Sequence, residues 1–256
     1  MLKTRVIPVL LQRGGVLVKG ERFESWRNVG AALPAVKVFN LRDVDELVLL
    51  DITATPEARG PDLEQIAELA AECFVPLTVG GGVTSLEHVR DLLRVGADKV
   101  AINSACHARP ALVTQIAERF GRQCVVCAID VRRRPDGGYQ CYASCGREPR
   151  AVEPAAWAAQ LERLGAGEIL LTSIDRDGMF QGYDVELVRR VSEAVGIPVI
   201  AAGGAGNYDH MVAAIREGGA SAVGAGAMFQ FTHQTPAGAR EHLHRHGIAV
   251  RHSSRR

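Results

Sequence analysis

Two glycine-rich turns are the first residues in this sequence whose type and spacing could do chemistry. "VGGGV" contains Gly80, Gly81 and Gly82, and "AAGGAG" contains Gly203 and Gly204. Glycine lets backbone N–H groups approach an anion closely, and the N-terminus of a following helix adds a favourable dipole. Each turn is therefore a candidate site for a phosphate group.

Each glycine turn has a counterpart one strand further along the chain, where a strand ends in small or polar residues. The glycines could simply permit tight turns, in which case no ligand would bind there. Because matched turns occur in both halves of the chain, phosphate binding is favoured. Two such sites at the same end of the molecule would suit an elongated ligand with a phosphate at each end. The predicted phosphate-binding residues are Gly81, Gly82, Asn103, Ser104, Gly203, Gly204, Gly226 and Ala227.

Eight β-rich segments separated by amphipathic stretches must position these turns. Such alternation predicts a parallel sheet covered by helices. Eight βα units in a chain of 256 residues fit a (β/α)8 barrel, with a doubly wound open sheet as the alternative. The predicted strands are "TRVIPVLL", "DELVLLDI", "VPLTVGG", "DKVAIN", "QCVVCAID", "GEILLTSI", "IPVIAAGG" and "SAVGAG".

An internal repeat favours the barrel over the open sheet. "VPLTVGGG" is similar to "IPVIAAGG", and "DELVLLDI" is similar to "GEILLTSI" at the same spacing along the chain. Two half-barrels of four units each would produce this pattern. We therefore predict an α/β protein with one TIM-barrel domain over residues 1–256, built from two repeated halves, with a basic C-terminal tail from about residue 248 to 256.

The composition excludes several classes of partner. Hydrophobic residues make up 47% of the chain and charged residues 23%, and the formal net charge is +1. This balance gives no reason to expect binding to nucleic acid or to an anionic membrane. No segment reaches the ~20 apolar residues that span a bilayer, and the first residues lack the features of a signal peptide. We expect a cytoplasmic protein.

Two clusters of potential metal ligands have simpler interpretations. Cys124 and Cys127 form a CxxC inside "QCVVCAIDV". Residues three apart on a strand face opposite sides, so buried structural cysteines are favoured over a redox or metal site. His242, His244 and His246 in "HLHRHG" could bind a metal, but a solvated helix end is favoured. We therefore expect no metal and no cofactor.

Several segments resemble the cyclase subunit of imidazole glycerol phosphate synthase over nearly the whole chain. The resemblance implies a (β/α)8 barrel with lyase activity. The barrel would pair with a glutaminase subunit in a glutamine-dependent amidotransferase complex. Ammonia from the glutaminase would pass through the barrel to a bis-phosphorylated ribonucleotide of histidine biosynthesis. The products would be imidazole glycerol phosphate and an aminoimidazole carboxamide ribonucleotide. The segments are "LTVGGGV", "GADKVAINSA", "GEILLTSIDRDG", "GYDVELVRRV" and "IPVIAAGGAG".

The same resemblance implies a catalytic site in which one residue is changed. In the family, two aspartates at the ends of the first and fifth barrel strands carry acid–base chemistry. Asp130 matches the fifth-strand aspartate, but the first-strand position is Leu11, which cannot transfer a proton. Lys19, on the first loop, and Asp177 complete the catalytic set.

Further positions of the implied site are partly changed. Asp51, Thr172 and Gly178 match the substrate pocket of the family. Ser104 stands where a threonine is usual and keeps the hydroxyl group. The serines expected beside the second phosphate are alanines here, Ala202 and Ala227.

The resemblance also implies an ammonia gate at the opposite, N-terminal end of the barrel. A ring of four charges forms this inlet in the family, and Asp98 lies where the glutaminase would bind. Buried ion networks are costly relative to apolar packing, which favours a gating role over a structural one. The four predicted gate residues are Arg5, Glu46, Lys99 and Glu168.

The chain combines an intact inlet with Leu11, and in this it resembles one branch of the family. The first strand of that branch also reads "IPVLL". That branch accompanies genes for surface-polysaccharide sugars. It implies a separate amidotransferase that uses the ammonia to convert an acetamido group on a nucleotide sugar to an acetamidino group. We therefore favour an ammonia-conducting barrel, with a true imidazole glycerol phosphate cyclase as the alternative. A non-catalytic activator of the glutaminase fits less well, because Lys19, Asp130 and Asp177 are present.

Overall fold

Eight parallel strands close into a barrel in the computed structural model, which describes residues 3–251. Each strand pairs with the next, and pairing of Arg5 with Ala222 joins the last strand to the first. This closure confirms the predicted (β/α)8 architecture. The barrel strands are β1 (Arg5–Arg13), β4 (Leu47–Asp51), β5 (Leu77–Gly80), β6 (Lys99–Ile102), β7 (Val125–Arg133), β10 (Glu168–Ser173), β11 (Val199–Ala202) and β12 (Ala222–Ala225).

Helices follow the barrel strands and cover their outer faces. Several begin at a polar residue whose side chain accepts a hydrogen bond from the first turn, as Asp62, Ser85, Asp184 and Asn207 do. The helices are α1 (Ala32–Leu41), α2 (Leu63–Ala71), α3 (Leu86–Arg94), α4 (Ser104–Ala108), α5 (Ala111–Phe120), α6 (Pro154–Leu164), α7 (Val185–Ala194), α8 (Tyr208–Arg216), α9 (Ala227–Phe231) and α10 (Pro236–Arg245).

The side chains of β1 alternate between two hydrophobic layers. Val6 and Leu10 pack outward into the layer between strands and helices, whereas Ile7 packs into the barrel interior. This two-residue period is the one that a strand dictates. It places Arg5 and Leu11 on the inward-facing side of β1, near its opposite ends.

Two β-hairpins at the mouth were not predicted from the sequence. β2 (Val16–Glu21) and β3 (Glu24–Ala31) continue antiparallel from β1, and β8 (Tyr139–Ala143) and β9 (Glu148–Arg150) continue antiparallel from β7. β1 and β7 are the first strands of the two half-barrels. The internal repeat therefore extends to these hairpins, although their sequences do not resemble each other.

The end of the described chain packs onto the N-terminal end of the barrel. Val250 is buried and bridges to Thr4, and Arg251 forms ion pairs with Asp43 and Asp45. Residues 248–251 of the predicted basic tail are thus part of the packed structure. The remainder of that tail, 252–256, lies outside the described residues.

The CxxC cysteines occupy different environments. Cys124 lies in a short 3-10 turn, Arg122–Cys124, and not in the strand in which the sequence placed it. Cys127 is buried in β7, and its Sγ lies 3.9 Å from the Sγ of Cys106. Both members of the motif are free thiols.

Among residues 3–251, no helix combines the length and the apolar character that crossing a membrane requires.

Candidate functional site

The carboxyl ends of the barrel strands surround one pocket, which brings together most of the predicted catalytic and phosphate-binding residues. In a (β/α)8 barrel this is the end at which active sites form. Three predicted residues, Gly178, Gly204 and Ala227, lie near the pocket without lining it. The predicted residues that line it are Leu11, Lys19, Asp51, Gly81, Gly82, Asn103, Ser104, Asp130, Thr172, Asp177, Gly203 and Gly226.

Asp130, near the middle of β7, is the carboxyl group best suited to proton transfer. Desolvation in the pocket raises the pKa of Asp130 to about 7, and the nearby Asp177 carboxylate adds to this rise. Hydrogen bonds from Asn103, whose Nδ2 lies 2.9 Å from Asp130 Oδ2, and from Thr172 act in the opposite direction. A pKa near neutrality allows one group to give and accept protons at physiological pH.

Leu11 occupies the position on β1 at which the family resemblance expects a second acid. Its side chain is 7% exposed and lines the pocket. Its backbone pairs with Val18 of the first hairpin and Leu50 of β4, and Val9 and Leu50 also line the pocket. This side of the pocket is therefore apolar.

Lys19 and Asp177 form a buried ion pair that holds the first hairpin over the mouth. Lys19 Nζ lies 2.7 Å from Asp177 Oδ1 and 2.9 Å from Oδ2. Arg22 N also donates to the backbone oxygen of Asp177. Gly178 has a φ of +76°, and a Cβ there would clash with the carbonyl oxygen of Gly20. Gly178 thus permits the close contact between hairpin and loop, and the hairpin forms part of the pocket wall.

Asp51, at the end of β4, is held in place by its own loop. Its Oδ1 accepts hydrogen bonds from the backbone N and the Oγ1 of Thr53, each at 2.9 Å. Its Oδ2 lies 2.7 Å from Arg59 Nη2. Asp51 is therefore an organising residue of the β4–α2 loop as well as part of the pocket wall.

The glycine turn after β5 is required by packing as well as suited to an anion. Gly81 has a φ of +109° and Gly82 a φ of +69°, and a Cβ on either would clash with the backbone oxygen of Asp51 or Arg59. The first N–H groups of a helix have no intrahelical partner, and at α4, which begins at Ser104, no side chain caps them. The Ser104 hydroxyl accepts a hydrogen bond from Ser144 N at 2.9 Å and can still donate one.

The corresponding turn after β11 has the same backbone but fewer hydroxyl groups. Gly203 and Gly204 have φ values of +82° and +109°, and a Cβ on either would approach the backbone of Ser173 or Gly182. Gly226 precedes α9, which also begins without a side-chain cap. Since Ala202 lines the pocket where a serine was expected, an anion here would meet mainly backbone groups.

The four predicted gate residues form a closed ring of ion pairs at the N-terminal end of the barrel. Arg5 Nη1 lies 2.6 Å from Glu46 Oε2 and 3.1 Å from Glu168 Oε1. Lys99 Nζ lies 3.0 Å from each of the same two glutamates. Burial would lower the pKa of Arg5, but Glu168 and Glu46 outweigh it and raise that pKa. The positive and negative charges therefore alternate, and each cation contacts both carboxylates.

A mostly apolar barrel interior separates the charge ring from the pocket. Thr78 lies next to the ring, and its hydroxyl donates to Glu46 Oε1 at 2.8 Å. Beyond it are aliphatic side chains, several of them as small as alanine. This interior layer consists of Ile7, Val48, Ala101, Val126, Leu170, Ile200, Ala202 and Ala222.

Large apolar side chains are exposed on the N-terminal side of the barrel. Phe74, just before β5, is 81% exposed, and Leu41, at the end of α1, is 69% exposed. Asn40 links the two segments by bonding to the backbone of Glu72 and Phe74. Asp98 is exposed at the same end, where one carboxylate oxygen accepts from Leu77 N at 2.8 Å. Asp98 was predicted from the sequence, whereas Phe74 and Leu41 were not.

Four pocket or rim residues were also missed. Phe23 and Trp26 enter the pocket from the first hairpin, Cys145 enters from the second, and Arg59 binds Asp51 at the rim. Burial raises the pKa of the Cys145 thiol to about 12, so it stays protonated at neutral pH. The aromatic residues could have been found only by recognising that "VLVKG" and "ESWRNVGA" pair as a hairpin.

Comparison with known proteins agrees with this geometry. The family model described as "Histidine biosynthesis protein" matches residues 5–234. The chain is 47% identical over 251 residues to the imidazole glycerol phosphate synthase subunit HisF of Chlorobaculum parvum, covering 98% of this chain and 100% of that protein. It is 45% identical, with the same coverage, to the HisF subunit of Chlorobaculum tepidum. The chain therefore belongs to the histidine biosynthesis protein family and is a relative of HisF.

Proposed function

We propose that this protein is an ammonia-conducting barrel of the HisF type, in which the ammonia is used for a reaction other than imidazole glycerol phosphate formation. The observation that carries the proposal is the contrast between a complete charge ring and Leu11 at the mouth. A barrel that no longer handled ammonia would have no need of a buried ring with four charges, because such a ring is costly compared with apolar packing.

The barrel interior supports transfer of neutral ammonia. Its aliphatic lining would be unfavourable for a charged ammonium ion, whereas a small neutral molecule pays a much lower desolvation cost. An ammonium ion that reaches the ring would therefore lose a proton before it enters the apolar interior of the barrel. Passage requires the contacts of Lys99 with Glu46 and Glu168 to open, because these contacts close the ring.

A glutaminase subunit is the proposed source of the ammonia. It would bind over the charge ring, where exposed Phe74 and Leu41 provide apolar anchors and Asp98 provides a charge. Large exposed apolar side chains near one another are typical of protein interaction sites. The resulting assembly would be a heterodimer that belongs to a glutamine-dependent amidotransferase complex.

The pocket at the mouth favours a phosphorylated small molecule as ligand. The two glycine turns would hold phosphate groups with backbone N–H groups, and Ser104 would add a hydroxyl at the first of them. Asp130 would supply proton transfer, and Lys19 and Asp177 would cover the bound ligand.

We further propose that the acceptor of the ammonia is a nucleotide sugar of surface-polysaccharide synthesis, amidated by a separate amidotransferase. The amidotransferase would activate the acetamido oxygen by phosphoryl transfer from a nucleoside triphosphate. Ammonia would then add to the carbonyl carbon, and the oxygen would leave as phosphate to give an acetamidino group. Leu11 supports this assignment because that side of the pocket lacks the acid–base group that cyclisation needs.

A true imidazole glycerol phosphate cyclase is the second candidate. Its support is the full-length similarity to HisF proteins together with the presence of Lys19, Asp130 and Asp177 in one pocket. In this case Asp130 would carry the acid–base steps without a partner on β1. Loss of one such group typically lowers a rate by about 10²–10⁴-fold.

The experiment that separates the two candidates measures cyclisation of the bis-phosphorylated ribonucleotide with ammonium salt as the nitrogen source. HisF of Chlorobaculum tepidum, assayed at the same concentrations, is the matched control. We expect turnover at least about 10²-fold below that of the control. Equal turnover would overturn the proposal and establish the second candidate. Glutamine-dependent amidation of an acetamido nucleotide sugar, in a mixture that also contains the glutaminase and the amidotransferase, would support it directly.

A further inference from the structure

A group of three potential metal ligands lies outside the mouth pocket and the charge ring. Asp209 is in the first turn of α8, His242 is in the last turn of α10, and His246 follows directly after α10. Each residue offers one ligand atom, and the three atoms lie within 4.8 Å of one another. The two histidines are four residues apart, so they lie on the same face of the helix.

The contact between His242 and Asp209 defines where an ion would sit. His242 Nε2 lies 2.7 Å from Asp209 Oδ1, so the ring nitrogen donates its proton to the carboxylate. Two ligand atoms of a tetrahedral zinc site are roughly 3.3 Å apart, since zinc–ligand bonds are about 2.0–2.1 Å long. Exchanging the shared proton for an ion thus needs only a small rotation of Asp209, which is exposed.

The ring of His246 is already oriented as in many metal-binding histidines. Its Nδ1 lies 2.9 Å from the backbone oxygen of His242. Because a carbonyl oxygen can only accept, Nδ1 carries the proton and Nε2 presents its lone pair. Such a hydrogen bond from the other ring nitrogen to a carbonyl fixes the tautomer and the orientation of metal-binding histidines.

We propose that Asp209, His242 and His246 bind a divalent transition metal ion, for which Zn²⁺ is the best match. Two imidazole nitrogens and one carboxylate oxygen form a typical zinc ligand set, with water in the remaining position. When the ion binds, His242 Nε2 loses its proton to solvent while Nδ1 takes one from solvent, so the ring stays neutral and Nε2 bonds the ion with its lone pair. No group is oxidised or reduced.

The position of the site gives the ion a structural role. α10 is the last helix of the described chain, and the segment after it returns to Thr4 and Asp43 at the N-terminal end of the barrel. An ion bridging α8 and α10 would hold this final segment in place. It stabilises the folded state because the unfolded chain does not hold the three ligands together.

The test is titration of the full-length protein, free of any affinity tag and stripped with EDTA, with ZnCl₂ in a calorimeter. We expect one ion per chain. His242→Gln and His246→Gln should each weaken binding at least about tenfold. His244→Gln is the matched control, because His244 is on the same helix but is not a member of the cluster. Its zinc affinity should equal that of the wild type.

Thermal unfolding provides a second measurement and checks that the variants fold. With EDTA present, each variant should keep a cooperative transition close to that of the wild type, because the substituted side chains lie at the edge of the fold and are only partly buried or exposed. Zn²⁺ should raise the midpoint of the wild type and of His244→Gln but not of His242→Gln. Asp209→Asn serves as a second ligand variant, since Asn207 and not Asp209 caps α8. The proposal is overturned if wild type and His242→Gln bind zinc equally, or if His244→Gln binds as weakly as His242→Gln.

Discussion

The two ends of the barrel differ in how completely their charged groups are matched. At the N-terminal end, Arg5 and Lys99 each contact both Glu46 and Glu168. At the mouth, Asp130 has a raised pKa, and the β1 position that would supply a second acid is Leu11. The two ends are therefore separate structural units, and under the proposed function the supply of ammonia is kept while its use changes.

The largest expected effect comes from restoring an acid at the mouth. Leu11→Asp should raise the rate of ammonia-dependent cyclisation of the bis-phosphorylated ribonucleotide relative to the wild type. The upper limit of the gain is the factor of about 10²–10⁴ that one acid–base group contributes. Leu11→Asn is the matched control, because it has nearly the same shape and polarity but cannot transfer a proton in this way. Equal rates for the two variants would show that the mouth does not lack an acid.

A break in the charge ring should be the next largest effect, this time on stability. Glu46→Gln leaves Arg5 and Lys99 facing one carboxylate instead of two. Because the Glu46 side chain is only 2% exposed, we expect a loss of about 3–5 kcal/mol in the free energy of unfolding. Urea denaturation measures it. Glu72→Gln, which removes the exposed pair with Lys37, is the control and should cost less than about 1 kcal/mol. Similar losses in the two variants would show that the ring contributes no more to stability than an exposed ion pair does.

The pH dependence of stability tests the charge of Asp130. Its folded-state pKa of about 7 lies above the usual value of 3.8, so ionised Asp130 destabilises the fold. This penalty is absent below about pH 4, grows as the pH rises to about 7, and is then constant. Asp130→Asn removes it. Relative to the wild type, the variant should gain about 2 kcal/mol of unfolding free energy between pH 5 and pH 8.

The measurement for Asp130→Asn is urea denaturation of wild type and variant at the two pH values. Glu72→Gln, which removes an exposed carboxylate paired with Lys37, is the control for effects of pH on the rest of the chain. A difference between Asp130→Asn and the wild type that does not change with pH would show that Asp130 titrates normally. The mouth would then lack a tuned acid as well as its partner.

The smallest expected effect concerns docking at the N-terminal end. Phe74→Glu should weaken association with the glutaminase at least about tenfold, because truncation of a central apolar anchor costs more than about 1 kcal/mol. Phe231→Glu is the matched control, since Phe231 is also exposed but lies after β12, on the mouth side. Calorimetric titration with the glutaminase gives both affinities. Equal weakening would place the partner elsewhere.

The barrel could be predicted because its strands are short apolar runs at regular spacing. All eight predicted segments overlap a barrel strand, and β1 and β7 continue past the predicted ends to Arg13 and Arg133. The two hairpins could not be predicted in this way. β3 is exposed on both faces, so "ESWRNVGA" shows neither an apolar run nor an alternation of apolar and polar residues. The same hairpin carries Phe23 and Trp26 into the pocket, which explains why these residues were missed.

The candidate site was predictable to the extent that strand ends meet at one edge of a barrel. Asn103, Asp130 and Thr172 lie at the mouth on three neighbouring strands and are in contact. The raised pKa of Asp130 depends on desolvation in the pocket, and the spacing of residues in the sequence does not predict that desolvation. Of the three proposed metal ligands, the sequence singled out His242 and His246 but favoured a solvated helix end. Asp209 was missed because it is distant in sequence and only the packing of α8 on α10 brings it to them.

β1 spans the barrel from the charge ring to the mouth. Arg5 and Leu11 are six residues apart on one face of this strand, which corresponds to roughly 20 Å. Substitutions at sites so far apart, with no shared partner, usually have additive effects on free energy. A double change at Glu46 and Leu11 should therefore cost the sum of the single changes. The residues at one end of the strand can thus change without compensating changes at the other, and under the proposed function a single scaffold serves more than one acceptor of ammonia.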